Sequence, residues 1–397
     1  MENKRSLATL NKIIAVDLLQ RYGFLGILTV IAGILGIFFV VFLMPLDVNS
    51  PPESAQKGDS ENLQKPLSNP PAVIRGIYFT SASGGDEKKI NYLLDLARKT
   101  QINAVVVDIK DSSGYIAYDT DLAVLDKYGA ERVAIKDIRS LIGRLHAEGL
   151  YAIARIVVFQ DPVLAKARPD LAIKNIYGGV WRDYKGLSWI DPAASDAWYY
   201  NIAIAEDAAK KGFDEINFDY IRFPSDGDLD AMAYPFWDRK ISKSRVIGAF
   251  FGRLREGLPD LRLSADLFGF TTTHSDDLGI GQILEEAFAS FDYIAPMVYP
   301  SHYPPTYLGL ENPAVHPYEI VYASMKGGME RLRAYKEKNP GNKAEFRPWL
   351  QDFDLGADYS AEMVRAQVRA TQDALEENFR GFMLWNPRNI YTVEAVE

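Results

Sequence analysis

Carboxylates recur at the ends of short apolar runs in this 397-residue chain. Asp219 lies in the run EINFDYIRF, and Asp266 lies in the next run along the chain, RLSADLFG. Two carboxyl groups beside one bond are what glycoside hydrolysis needs, since one protonates the leaving oxygen and the other attacks the sugar or activates water. The two acids must differ in pKa, which crowding and partial burial would achieve. We therefore predict Asp219 and Asp266 as a catalytic pair.

The alternation of side chains along these runs predicts which of them point to the interior. Asp219 shares one face of its run with Asn217, and the other face is apolar. The apolar side chains are Ile216, Phe218 and Tyr220. The same argument predicts that Asp108 and Lys110 point inward from an earlier run, and that Asp266 does so from the run after Asp219.

Other polar and aromatic side chains follow or end the remaining runs and are candidates for substrate binding. The full set is Asp108, Lys110, Arg155, Arg222, Tyr299, His302, Asp352 and Trp385. Any single acid among them could instead form a structural ion pair with Arg155 or Lys110. For Asp219 and Asp266 together, on neighbouring strands, we favour the functional interpretation.

Eight such runs alternate with helical periodicity, which predicts the elements that position these groups. The predicted strands are 73–80, 104–110, 151–159, 215–223, 262–269, 292–299, 345–353 and 381–387. Strand–helix alternation of this kind is typical of a parallel sheet, and eight units predict an α/β fold, the (β/α)8 TIM barrel. Catalytic groups would then lie at the carboxyl ends of the strands. A doubly wound sheet is the alternative, but SASGG at 81–85 is not a Gly-rich phosphate turn.

Capping residues predict where two of the helices begin or end. Asp191 and Pro192 predict the start of the third helix, and Gly212 predicts its end. Gly149 predicts the end of the second helix. Only residues 389–397 follow the eighth strand, which is too few for a full closing helix.

Composition excludes several classes of protein. The net charge of −9 argues against nucleic-acid binding, because phosphate contacts need clustered Lys and Arg. The absence of Cys excludes disulfides, a thiolate nucleophile and Cys-ligated zinc, but it is compatible with a bacterial envelope protein. The four histidines show no metal-ligand spacing. We therefore expect neither a metal nor an organic cofactor.

The N-terminal part predicts a membrane anchor. Residues 23–44 form an uncharged apolar run that is long enough to cross a bilayer and is preceded by four basic residues. We expect residues 1–22 to be a cytoplasmic tail, 23–44 a transmembrane helix, 45–72 a flexible linker and 73–397 an extracytoplasmic barrel. A cleaved signal peptide is the alternative, although the run is long and no A-x-A pattern follows it.

The region from about Arg75 to Arg388 also resembles a known family, the uncharacterised barrels named "putative glycosyl hydrolase domain". The resemblance rests on the motifs RGIYFTS, VVVDIKDSSGYIAYD, ARIVVFQD, WIDPAASDAW, FDEINFDYIRFP, ADLFG, YIAPMVYPSHY and RPWLQDF. It implies a glycosidase barrel with remote similarity to alpha-amylase-like barrels. It also implies that Asp219, which ends the fourth strand, is the nucleophile and that Asp266, which ends the fifth, is the general acid.

The leading hypothesis is therefore a membrane-anchored glycoside hydrolase that acts on a cell-wall or extracellular polysaccharide. Two alternatives remain open. One is a catalytically silent barrel that binds carbohydrate. The other is a metal-assisted polysaccharide hydrolase or deacetylase with Asp108, Asp219 and Asp266 as oxygen ligands.

Overall fold

Residues 65–397 are described in a computed structural model, and their largest element is a closed parallel barrel. Its eight strands are β1 (Ile74–Phe79), β2 (Ala104–Lys110), β3 (Tyr151–Val157), β4 (Glu215–Asp219), β5 (Leu263–Phe268), β6 (Tyr293–Val298), β7 (Glu345–Phe346 and Trp349–Gln351) and β8 (Gly381–Trp385). Each strand pairs with its neighbours in chain order, and β8 pairs with both β7 and β1. This is the (β/α)8 architecture that the alternation of strands and helices predicts.

In the described part of the chain, one main helix follows each of the first seven strands and packs around the barrel. These helices are α1 (Glu87–Lys99), α2 (Ile138–Ala147), α3 (Ser195–Lys211), α4 (Lys243–Gly257), α5 (Leu284–Phe288), α6 (Pro317–Lys338) and α7 (Ala361–Leu375). Additional short helices lie in the loops at Ser81–Gly84, Ala123–Tyr128 and Pro162–Ala167. Single 3₁₀ turns occur at Leu229–Ala231, Gly269–Thr272, Pro300–His302, Tyr307–Gly309, Pro313–Val315, Glu376–Asn378 and Val393–Ala395. A two-stranded antiparallel ribbon pairs Lys174–Asn175 with Met232–Ala233.

Burial explains why the strands read as nearly continuous apolar runs. All seven residues of β2 and all seven of β3 are buried, because helices cover one face and the barrel interior fills the other. The helices are amphipathic: α1 buries Ile90, Leu93 and Leu94 at the spacing of one helical face. The apolar side chains between the helices and the strands therefore form the outer core, and the polar side chains of the strands point into the barrel.

Three boundaries differ from the predicted ones for local reasons. The strand predicted to run to residue 223 ends at Asp219, because Tyr220 adopts a positive φ of 53°. The seventh strand is interrupted at Pro348, which has no N–H for the ladder. The third helix begins at Ser195, not at Pro192. The Asp191 carboxylate instead accepts hydrogen bonds from the backbone N–H groups of Ala193, Phe236 and Trp237.

The end predicted for that helix is confirmed, since Gly212 follows α3 in the left-handed conformation with φ 110°. The prediction of no full eighth helix is also confirmed. After β8 the chain forms only the turn at Val393–Ala395, and Val396 O accepts a hydrogen bond from Gln101 N at 2.8 Å. The C-terminal segment therefore covers the place that an eighth helix would take.

The predicted membrane segment, residues 23–44, lies outside the described residues. Within 65–397 no helix combines the length and the apolar character needed to cross a bilayer. The described end of the predicted linker contacts the barrel, because Leu67 N donates to Asp214 Oδ1 at 2.6 Å.

Candidate active site

A buried arginine collects three carboxyl groups at the carboxyl ends of the strands. Arg155 of β3 is 4% exposed and donates from Nη1 to Asp108 of β2 and from Nη2 to Asp219 of β4, the latter at 2.5 Å. Its Nε lies 3.7 Å from Asp266 Oδ2 on β5. Strand alternation predicts this inward direction for all three acids, and the closed sheet brings them to one guanidinium.

Asp266 lies deepest in this cluster. It is 1% exposed, and its Oδ1 accepts hydrogen bonds from Asn217 Nδ2 and Trp349 Nε1, both at 2.8 Å. Its Oδ2 has no hydrogen-bond partner in the described part of the chain. Burial raises the pKa of Asp266 well above its usual range, and the charge of Asp219 raises it further, although Arg155 opposes this. A carboxyl group in this setting holds its proton and can serve as an acid.

Asp219 has different surroundings. Its Oδ2 pairs with Arg155, and its Oδ1 accepts from Tyr220 N at 2.6 Å. The backbone of Tyr220 lies in the left-handed region, which is rare for a bulky side chain and is found at functional sites. The turn ends β4 directly after Asp219 and leaves this carboxylate at the lip of the barrel.

A pocket of about 520 Å³ opens above this cluster. Asp219, Arg155 and the predicted binding residue Trp385 line it, whereas Asp266 and Asp108 do not. Its other lining residues are Lys185, Tyr220, Arg222, Ser225, Asp226, Phe268, Gly269, Phe270, Met297, Tyr299, His302 and Tyr303. Of the proposed catalytic pair, therefore, Asp219 faces the space that a ligand would occupy, and Asp266 lies beneath it.

Aromatic rings build the wall beside Arg155. Tyr78 of β1 stacks on Trp385 with centroids 3.8 Å apart, and Trp349 packs edge-on against Trp385. The guanidinium of Arg155 lies 5.1 Å from the centre of the Trp385 ring. The Tyr78 hydroxyl also donates a hydrogen bond to Asp108. Burial raises the pKa of Asp108. Such flat apolar faces are suited to stacking on a sugar ring.

The opposite wall carries two further predicted residues. Tyr299 directly follows β6 and lines the pocket, and its ring lies 5.1 Å from that of His302. Packing of the His302 ring lowers its pKa, so that the neutral imidazole is favoured. Tyr299 and His302 therefore both line the pocket, and their role in binding stays a prediction.

The prediction that Lys110 points into the barrel is wrong. Asp108 pairs with Arg155 and Lys110 pairs with Ile156, so β2 has one more residue than β3 between these two pairs. This β-bulge reverses the side to which Lys110 points. Lys110 Nζ is instead fully buried behind the strand, 2.7 Å from Asp161 Oδ2 and 3.2 Å from Asn201 Oδ1. The lysine joins β2 to α3 and does not line the pocket.

Asp352 also lies outside the pocket. Its two oxygens accept from the backbone N–H of Thr392 at 3.0 Å and from the Thr392 hydroxyl at 2.6 Å. Burial raises the pKa of Asp352 to about 6. The carboxyl group ties the C-terminal segment to the barrel and is not placed to contact a ligand in the pocket.

The prediction from sequence misses several residues in or beside the pocket. Tyr78 and Trp349 share the inward faces of their strands, and alternation alone could have found them. Lys185 and Asp226 come from the long loops after β3 and β4, in which no periodicity indicates direction. Strand alternation predicts that Tyr220 lies on the outer apolar face, but its left-handed backbone turns it to the pocket.

The described residues contain no group of three or more acidic or histidine side chains arranged to hold a metal ion. Asp108, Asp219 and Asp266, the three acids predicted as ligands in the metal-assisted alternative, instead surround the Arg155 guanidinium. A bound cation at that position would repel the arginine, so the donor set fits a metal poorly.

The sequence from residue 76 to 391 matches the family model described as "Putative glycosyl hydrolase domain". The chain belongs to this family, as the sequence motifs indicate. By this membership it is classed as a glycosidase. No curated protein matches the chain.

Several solved structures are similar to this chain. A hypothetical protein from Ruminiclostridium thermocellum is 38% identical over 51% of this chain and 98% of its own, with a TM-score of 0.45. An alpha-L-fucosidase from Paenibacillus thiaminolyticus is 12% identical over 81% of this chain and 48% of its own, with a TM-score of 0.52. An alpha-galactosidase from Thermus thermophilus is 13% identical over 83% of this chain and 65% of its own, with a TM-score of 0.48. The fucosidase is similar in fold, and this chain spans about half of its length.

Proposed function

We propose that the protein hydrolyses a glycosidic bond of a polysaccharide in the pocket above Arg155. Asp219 acts as nucleophile or base, and Asp266 is the general acid. The observation that carries this proposal is the shared contact of both carboxyl groups with Arg155, from adjacent strands. Glycosidases separate their two carboxyl groups by roughly 5–9.5 Å, and a single planar guanidinium between them keeps the pair within such reach.

The surroundings of the two acids support this division of roles. Asp266 holds its proton because burial and the Asp219 charge raise its pKa. Asp219 lines the pocket, and a cation and a backbone N–H contact its two oxygens. The proton would be donated from Oδ2 of Asp266, since Oδ1 already accepts hydrogen bonds from Asn217 and Trp349. Retention and inversion are both compatible with this arrangement.

A second candidate is a barrel that binds a glycan without cleaving it. Two observations favour it: Arg155 already neutralises Asp219, and Asp266 lies beneath the pocket lining. Under this alternative the Trp385 ring, on which Tyr78 stacks, would provide the wall that contacts the sugar, and the acids would serve only to position Arg155.

The substitution Asp219→Asn separates the two candidates. If the protein is a glycosidase, the purified full chain should release reducing ends from at least one member of a polysaccharide panel. The variant should lose at least about 10²-fold in rate, because a reacting group is removed. Melting temperature and glycan binding should change little. The exposed substitution Asp95→Asn on α1 is the matched control.

A panel with no cleavage but measurable binding would support the silent barrel. Cleavage that survives unchanged in Asp219→Asn would remove this carboxylate from the mechanism.

A further inference from the structure

Arg222 is a buried cation without an acidic partner. It is 6% exposed and lines the pocket. Its Nη1 donates to Phe223 O at 3.0 Å and to Ser225 Oγ at 3.1 Å, and it makes no ion pair within residues 65–397. The two other arginines buried at the core of the barrel, Arg155 and Arg347, both pair with carboxylates. Arg222 therefore differs from them in having no carboxylate oxygen within ion-pair distance.

Three aromatic rings hold this guanidinium in place. Its carbon lies 4.7 Å from the ring centre of Phe268, 5.0 Å from that of Trp189 and 5.1 Å from that of Tyr220. Cation–π contacts of this kind stabilise the charge in part and restrict the side chain. In the described part of the chain, only Nη1 has hydrogen-bond acceptors. The Nε and Nη2 edge, which presents two parallel N–H groups, is thus left for another acceptor.

Burial of an unpaired charge is costly, and a bound anion would offset that cost. Lys185, an exposed side chain, adds a second cation to the same pocket. Of the two acidic side chains that line the pocket, Asp219 already pairs with Arg155, and Asp226 accepts from Tyr184 N at 3.3 Å. The side chains that line the pocket therefore comprise three cations, Arg155, Lys185 and Arg222, and the two carboxylates, which is an excess of one positive charge in a chain whose net charge is −9.

We propose that the pocket recognises an acidic sugar, and that the guanidinium of Arg222 binds its carboxylate. A planar carboxylate matches the paired N–H groups of arginine in a bidentate contact. The ligand class is then a polysaccharide that contains uronic acid units, one of which binds in the pocket. This inference rests on the proposed function only in taking the ligand to be a glycan.

The test compares acidic oligosaccharides with their neutral counterparts. Binding is measured by calorimetry on the full-length Asp219→Asn chain, so that no cleavage interferes. The probes are trisaccharides of galacturonate, glucuronate and mannuronate, the same three after reduction of the carboxyl groups, and a sulfated galactan trisaccharide. We expect at least one uronate probe to bind on the order of 10-fold or more tightly than its reduced form.

Adding Arg222→Gln should remove that difference, and Arg222→Lys should restore only part of it, because lysine keeps the charge but lacks the paired N–H groups. The control is Arg253→Gln, which removes one exposed positive charge from α4. If Arg222→Gln does not fold, the comparison of uronate with reduced probes on the Asp219→Asn chain still decides the question. Equal binding of acidic and neutral probes, or no binding of any uronate, would overturn the proposal, as would a preference for the sulfated probe alone.

The outcome is separate from that of the proposed function. Uronate binding without cleavage by the native chain would leave the acidic-sugar site intact and remove the hydrolase. Cleavage of neutral glycans alone would support the hydrolase and remove the acidic-sugar site.

Discussion

The guanidinium of Arg155 contacts carboxyl groups from three strands, and this decides how charge is distributed in the site. It pairs closely with Asp108 and Asp219 but lies 3.7 Å from Asp266, which keeps an unbonded oxygen. Because one cation cannot neutralise three buried carboxylates, at least one of them is favoured in its protonated form. Asp266 is the least exposed of the three, and burial raises its pKa well above the usual range of Asp.

The raised pKa of Asp266 predicts a pH dependence. As general acid it should sustain kcat/KM up to a pH well above the usual range of Asp, with a fall on the alkaline side as it ionises. Asp266→Asn should lower kcat/KM on the order of 10²–10⁴-fold and abolish the alkaline fall, because the amide neither donates a proton nor titrates in this range. The measurement is kcat/KM against pH on the substrate found with the native chain.

Stability gives an independent readout of the same group. Since folding raises the pKa of Asp266, its contribution to the free energy of unfolding is fully present below the unfolded pKa and is lost as pH rises through the folded pKa. The Asn variant, which stays neutral, should therefore gain stability relative to the native chain as pH increases. If kcat/KM of the Asp266→Asn variant still falls at alkaline pH, a group other than Asp266 is responsible for that fall.

Among the secondary-structure elements, two local departures from regular geometry have the largest effects on the site. The irregularity in β2 sends Lys110 to the helix layer, where it forms a fully buried pair with Asp161. The left-handed Tyr220 ends β4 and places Asp219 at the pocket. Neither departure has a distinct sequence signal, because Ile109 and Tyr220 are ordinary strand-forming residues.

The C-terminal segment, which takes the place of the eighth helix, predicts a local loss of stability when its anchor is removed. Asp352→Ala deletes two hydrogen bonds to Thr392 and should lower the free energy of unfolding by about 1–3 kcal/mol. Hydrogen exchange should increase mainly in residues 389–397. Asp95→Ala, on the exposed face of α1, is the control. Unchanged exchange in this segment would show that other contacts hold it.

At the scale of the whole molecule, the barrel joins groups that are far apart in the chain. Tyr78 and Trp385 stack although more than 300 residues separate them, because β1 and β8 are paired neighbours that close the sheet. Chain closure therefore creates the aromatic wall of the pocket. The hydrogen bond between Gln101 N and Val396 O links the C-terminal segment to the loop that precedes β2.

The uncharged segment 23–44 predicts how the full chain is located. We expect it to sediment with membranes, to resist salt and to be released by detergent, whereas a chain that lacks residues 1–44 should remain in solution. Protease added to intact cells should digest the barrel, because we expect the basic residues before the segment to keep the N-terminus in the cytoplasm. A full chain found in the soluble fraction would contradict the anchor, and a shortened chain in the medium would indicate a cleaved signal peptide.

The sequence by itself determined the number and order of the strands and the inward direction of Asp108, Asp219 and Asp266. Both follow from local periodicity, which each stretch of chain carries within itself. Only the tertiary structure decided the partners: it buried Lys110 against Asp161 and left Arg222 unpaired in the pocket. Ion pairs depend on distances between remote parts of the chain, and one irregular residue in a strand reverses the direction of the next side chain. Neither property is encoded in the spacing of residue types.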